Sequence, residues 1–234
     1  MGKQQKYKPT DKMFHLISDN YTLLQVISRF GFPLGFGDKT VKEVCEMNDV
    51  DCRTFLKIVN FVEEGFSRID DDLEDISVSS LVNYLHQTHS YFLDFALPVI
   101  RRKLIEAIDC SEDEVAFLIL RFFDEYVHEV RRHMEYEEKT VFKYVDDLLH
   151  NKFSKSYHIS VFSKHHDSIG EKLTELKNII IRYCPSETNK NLLNAALFDI
   201  YVCEEELDSH CKIEDYLFVP VILRLERRID ENEK

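Results

Sequence analysis

The sequence predicts an all-α protein: a four-helix up-down bundle preceded by a small helical domain. Three observations carry this expectation. Among 234 residues there are only 6 Gly and 5 Pro, too few for a turn-rich β architecture. Four long stretches in the last two thirds of the chain repeat apolar residues at helical spacing. The breaks between those stretches are short, which suits antiparallel neighbours in a bundle. A chain of this length can bury a real core as one large or two small domains.

Taken in order, residues 13–30 (MFHLISDNYTLLQVISRF) carry a helical pattern, and GFPLGFGDK breaks it with three Gly and one Pro. Thr40 opens T-V-K-E, a capping-box pattern, ahead of a short helix near 41–47. A further helix is expected over 51–65. The acidic run IDDDLEDIS reads as a linker, which divides the chain into an N-terminal domain, 1–72, and a bundle, 76–232. The bundle helices are expected near 78–108, 112–150, 157–183 and 189–229. Ser111 and Glu114 form a capping-box pattern for the second. Cys184-Pro185-Ser186 separates the third from the fourth, and Pro220 kinks or divides the fourth.

Charge narrows the partners. Thirty basic against 43 acidic residues leave a net charge of −13, a surface that repels phosphate backbones. KTVKEVCEMNDVDCRTFLKIVNFV also reads as helix-turn-helix. Yet residues 38–65 hold four basic and seven acidic side chains, which disfavours DNA and favours protein docking or packing within the chain. No apolar run approaches the length of a membrane span, and the polar start MGKQQKYKPTDK lacks a signal-peptide core. Six scattered Cys without C-x-x-C argue against a Cys-ligated metal or a disulfide framework. They point to a reduced, cytoplasmic protein.

Chemistry concentrates in the histidines and glutamates. RRHMEYEEKTVF and DSHCKIEDYLFVP each place a His four residues before a Glu: His133/Glu137 and His210/Glu214. Four residues turn a helix through about 400°, so each pair shares one face. Tyr126, Val130, Val141, Tyr144 and Leu148 lie on the first of these faces; Cys203, Leu207, Leu217 and Val221 lie on the second. Both pairs therefore fall on core-facing stripes, where a carboxylate is costly without a partner. The third bundle helix sets His166 among Ile159, Phe162, Ile169, Leu173 and Leu176. The first sets His86 in line with Val82, His89, Leu93 and Leu97. His89, one turn from His86, is either a ligand-orienting or proton-carrying neighbour or a hydrogen-bonded core histidine. His15, His128, His150, His158 and His165 read as surface or flank residues. Tyr126 and Tyr144 read as core, with a bond to the metal centre as the alternative.

Four imidazoles and two carboxylates, His86, His133, Glu137, His166, His210 and Glu214, exceed what one zinc ion takes. They suit two first-row metal ions bridged by the carboxylates. The nitrogen and oxygen donor set favours iron, with manganese as the alternative. With Glu137 and Glu214 bridging and an oxo or hydroxo bridge added, each ion keeps one position for O2, NO, peroxide or water.

The bundle resembles the hemerythrin-like HHE cation-binding domains, and more closely the di-iron proteins for repair of iron centres. The resemblance rests on YLHQTH at 84–89, HMEYEE at 133–138, KHHDSIGE at 164–171 and HCKIEDYLFVP at 210–220. Carried over position by position, the family's ligands fall on the same six residues, and Gly170 leaves space beside the metals. The resemblance implies a stress protein that restores iron–sulfur clusters damaged by oxidation or NO, with NO reduction as a related enzymatic version. The partners would be damaged iron–sulfur proteins or small diatomic ligands, with a homodimer allowed. A sensor or carrier of O2 or NO without turnover is the second reading, and a DNA-binding regulator the third. Family members often carry adjacent Cys in the first loop of the N-terminal domain. This sequence has GFPLGFG there, and Cys45 and Cys52 stand nearby at other positions.

Overall fold

The computed structural model describes residues 6–65, 73, 75–108, 114–150, 152, 157–164, 169–184 and 188–232, of which 163, 164, 169–171 and 232 are described as backbone alone. Among them the protein is all helical, with a single isolated bridge between Lys12 and Thr40. The chain divides into two compact units, Met1–Thr88 with Lys212–Lys234, and His89–Cys211.

In the first unit, α1 (Met13–Asp19) and α2 (Leu23–Arg29) replace the single helix expected over 13–30. Asn20 is the cause. Its backbone is extended at φ −148° and ψ 105°, and its side-chain oxygen accepts from the Thr22 N–H at 3.0 Å and the Thr22 hydroxyl at 2.7 Å. A short polar side chain here competes with the helix for a backbone donor. Gly31 ends α2 with φ 76°. The Gly31 N–H donates to Ser28 O at 2.9 Å and the Phe32 N–H to Ile27 O at 3.3 Å, the paired bonds of a left-handed helix stop.

Helix α3 (Val41–Met47) carries the expected capping box: Thr40 accepts from the Glu43 N–H while Glu43 accepts from the Thr40 N–H. Helix α4 (Cys52–Glu63) starts on Asp51, whose Oδ1 accepts from the Thr54 N–H at 2.7 Å. Its apolar face supplies Phe55, Ile58 and Val59 to the core. Asn60 is buried among them with its side chain saturated. It accepts from the Tyr7 N–H at 2.9 Å and donates to Tyr7 O at 3.0 Å and Leu56 O at 2.9 Å. Phe30, Phe32, Phe55 and Tyr84 form an aromatic knot with centroids 5.0–6.1 Å apart, which ties the start of the next helix to α2 and α4. Part of the expected acidic linker is packed here too: Leu73 is buried, and the Ser77 N–H donates to Thr54 Oγ1 at 2.8 Å.

The remaining helices follow the expected stretches closely. Helices α5 (Val78–Tyr91) and α6 (Leu97–Ala107) run together through a π-helical turn, Phe92–Ala96. Helices α7 (Glu114–Tyr136) and α8 (Lys143–Leu149) join through a second, Glu137–Phe142. Then come a 3₁₀ segment, Ile159–Lys164, and α9 (Ile169–Tyr183). Helices α10 (Lys190–Ile213) and α11 (Val219–Asn232) join through a third π-helical turn, Glu214–Phe218. The Ser111 cap and the Pro185-Ser186 break lie outside the described residues.

Two of these turns have a visible cause. The Leu97 N–H donates to Phe92 O and the Val219 N–H to Glu214 O, each reaching back five residues. The residues that follow are Pro98 and Pro220. A proline has no N–H to give, and in α geometry its ring collides with the carbonyl four residues back. Widening the turn by one residue relieves that collision. Pro220 thus divides its helix, as the sequence suggested, by way of a π-turn.

In the second unit, apolar side chains recur at helical spacing along four helical stretches: Ile100 and Leu104; Ile119, Phe123, Tyr126 and Val130; Leu173, Leu176 and Ile180; Ile200, Cys203 and Leu207. These form one continuous core. Replacing Asn60 with Ala in the first unit strands the Tyr7 N–H and carbonyl. The expected cost is about 2 kcal/mol, read as a lower urea midpoint with an unchanged slope; no shift in midpoint would contradict the clamp.

Candidate metal centre

Three helical rods carry the polar end of the second unit's core. Past Val130 and Met134 the α7 stripe reaches Glu137; past Cys203 and Leu207 the α10 stripe reaches His210. Ahead of Phe92 the α5 stripe holds His89. Glu214 lies one turn beyond His210 on the same continuous rod. One ligand atom from each of His89, Glu137, His210 and Glu214 lies within 4.8 Å of the others. Both carboxylates are 0% exposed, and both imidazoles 2%.

The imidazole of His89 organises the group. Its Nε2 sits 2.9 Å from Glu137 Oε2 and 3.2 Å from His210 Nε2. Its Nδ1 sits 2.7 Å from Oε1 of Glu138, a side chain 31% exposed. Burial alone would lower the basicity of His89. The bonds to Glu137 and Glu138 outweigh it and raise the pKa above the ordinary histidine value. When protonated on both nitrogens, His89 donates through Nδ1 to Glu138 and through Nε2 toward Glu137. His133 approaches the same carboxylate from its own helix, Nε2 to Glu137 Oε1 at 2.7 Å. Aromatic rings line the group: Phe142 stacks on His89 with centroids 5.4 Å apart and planes 9° from parallel, and Phe92 meets His210 edge-on at 6.3 Å.

Of the six residues expected from sequence, the structure brings Glu137, His210 and Glu214 together and pairs His133 with Glu137. His166 lies outside the described residues, as does His165. His86 is exposed on α5, and His89 is the α5 residue within the cluster. The π-turn explains the difference. The expected stripe, Val82, His86, His89, Leu93 and Leu97, steps back from Leu97 without interruption. The extra residue in Phe92–Ala96 slips the phase by one position, about 100°. The buried stripe accordingly reads Leu81, Leu85, His89, Phe92 and Leu97. Only Pro98 hints at the slip in the sequence. His15, His128, His150 and His158 are exposed, as expected, and Tyr126 and Tyr144 are buried.

All three π-turns sit beside this group. Two begin on its glutamates, and the third starts three residues after His89. Such turns recur at functional sites because they re-aim one side chain without ending the helix. The donor set fits a cation. Two carboxylates without solvent contact cost on the order of several kcal/mol each unless positive charge is near. The imidazole nitrogens point into the same space, and nitrogen with oxygen donors suits first-row transition metals.

No curated protein matches this chain. A protein-family comparison matches residues 80–222 to the hemerythrin HHE cation-binding domain, a span that includes His89, His133, Glu137, His210 and Glu214. More than half the chain lies within that match, and the protein therefore belongs to the hemerythrin HHE cation-binding family.

Proposed function

We propose that this protein is a non-haem di-iron stress protein that repairs iron–sulfur clusters damaged by oxidation or NO, acting in the cytoplasm. The observation that carries the reading is the pair of fully buried carboxylates, Glu137 and Glu214, facing His89 and His210. The sequence-level likeness to the repair proteins supplies the rest. On this reading residues 76–232 fold as a four-helix up-down bundle, and residues 1–72 as a separate helical domain.

Glu137, Glu214, His89, His210 and His133 would hold the metal, with His166 supplied from the KHHDSIGE segment. The exposure of His86 argues for His89 as the ligand from the first bundle helix. When bound, a pair of iron ions supplies exchangeable iron and positions for NO or O2; manganese is the alternative ion. The chain's own work is to orient donors and manage a proton. Glu138 accepts from His89 Nδ1 and so fixes the ring with Nε2 toward Glu137. Phe142 holds that ring flat from one side. Loading requires His89 to release its Nε2 proton. Uptake therefore strengthens as pH rises through the raised pKa of His89 and weakens as pH falls below it.

Replacing Glu138 with Ala removes the acceptor that orients His89. Above the titration midpoint, metal affinity is expected to fall about 10–100-fold, measured by competition with a chelator. Because Glu138 also helps to raise the pKa of His89, the midpoint of uptake against pH should move down. An unchanged affinity and midpoint would remove Glu138 from the account.

Repair is tested directly by adding the loaded protein to an iron–sulfur enzyme inactivated with NO. Recovery of that enzyme's activity is expected with the native protein and is lost with His133→Ala and His210→Ala. Full recovery with both variants contradicts the proposal. A reversible optical change with NO or O2, with no recovery and no turnover, would instead identify a sensor or carrier.

A further inference from the structure

Three tyrosines that the proposed metal chemistry does not use meet within the second unit. Tyr136 is the last residue of α7, Tyr144 lies in the first turn of α8, and Tyr157 precedes the 3₁₀ segment. The hydroxyls of Tyr136 and Tyr157 are hydrogen-bonded at 3.2 Å, across 21 positions of sequence. The ring of Tyr144 meets that of Tyr157 edge-on, with centroids 4.9 Å apart and planes at 64°. Tyr144 is buried, whereas Tyr136 and Tyr157 are half-buried.

We infer that Tyr136 and Tyr157 form a site of oxidative cross-linking, which one-electron oxidants convert to an internal dityrosine. Three features point to it. An oxidised phenol carries its unpaired electron on the oxygen and on the ring carbons beside the carbon that bears it. A contact through the hydroxyls brings those ends of the two rings together. The rings are also held in place, Tyr136 by its helix and Tyr157 by the edge-on contact with Tyr144, a geometry that aromatic pairs favour. Neighbours set in advance couple without a diffusive search. Lastly, partial exposure lets an oxidant take the electrons and water take the protons.

The reaction balances as follows. Each phenol gives one electron to its own equivalent of oxidant and one proton to water. The two phenoxyl radicals join through a carbon–carbon bond beside their oxygens. The hydrogens on the joined carbons then pass through water to the oxygens and restore both phenols. Two tyrosines have lost two electrons and two protons, and two equivalents of oxidant are each reduced by one electron. The new bond would tie the end of α7 to the chain that enters the 3₁₀ segment. Because Tyr136 immediately precedes Glu137, it would also pin the backbone where the second π-turn begins. The oxidant comes from solvent, so the cross-link does not depend on the metal centre.

The test photo-oxidises dilute full-length protein with tris(bipyridine)ruthenium and persulfate, then analyses tryptic peptides by mass spectrometry. Tyr136 falls in HMEYEEK and Tyr157 in SYHISVFSK. Native protein is expected to yield these two peptides joined and lighter than their sum by two hydrogens, with dityrosine fluorescence. The joined peptide should appear before the exposed Tyr21 or Tyr183 is modified. Tyr136→Phe and Tyr157→Phe should each abolish the joined peptide, while Tyr144→Phe, which keeps the ring, should retain it. Because the native protein alone tests the first outcome, a failure of any variant to fold does not shelter the proposal. Two peptides that stay separate while Tyr21 or Tyr183 is oxidised would overturn it. So would dityrosine formed only between different chains.

Discussion

Two carboxylates held out of water determine the character of this protein. Glu137 and Glu214 have no solvent contact, and a helical interior offers little to stabilise their charge. Each ion so placed costs on the order of several kcal/mol unless an opposite charge compensates. The His89 and His133 nitrogens, 2.9 and 2.7 Å from the Glu137 oxygens, compensate in part. A metal cation compensates more fully, because it attracts both acids and both buried imidazoles at once. An apolar replacement of similar volume would often be as stable. The retained polar group therefore reads as function and not as packing.

The helices around this group are shaped to aim it. Each of three rods interrupts its α geometry with a π-turn at the level of the cluster. Ahead of the widened turn a side chain faces the polar centre. Behind it the apolar stripe resumes in register with the rest of the core. In two rods the device is written into the sequence as a proline two residues past the turn, Pro98 and Pro220. In the third, Glu137–Phe142, no proline follows, and the turn has no equally local cause.

Much of this was legible from residue types and spacing. The capping box at Thr40, the helix over Cys52–Glu63 and the long rods of the later chain follow from periodicity and caps that act locally. The buried H-x-x-x-E faces were legible for the same reason, since four residues span one turn whatever surrounds them. What escaped were effects that break the period. Asn20 takes a donor from the backbone and cuts one helix into two. The π-turn before Leu97 keeps His89 on the buried face but replaces Val82, His86 and Leu93 there with Leu81, Leu85 and Phe92, which a uniform 3.6-residue count cannot register.

The account's central claim is a metal centre between His89, Glu137, His210 and Glu214. Metal analysis of the purified protein, combined with its optical spectrum, tests it most directly. The account predicts about two iron ions per chain, as the donor count implies, and an oxo-to-iron charge-transfer band that disappears in Glu137→Leu and Glu214→Leu. Native protein that takes up no iron or manganese after anaerobic reconstitution, in a folded state indistinguishable from those variants, would contradict it.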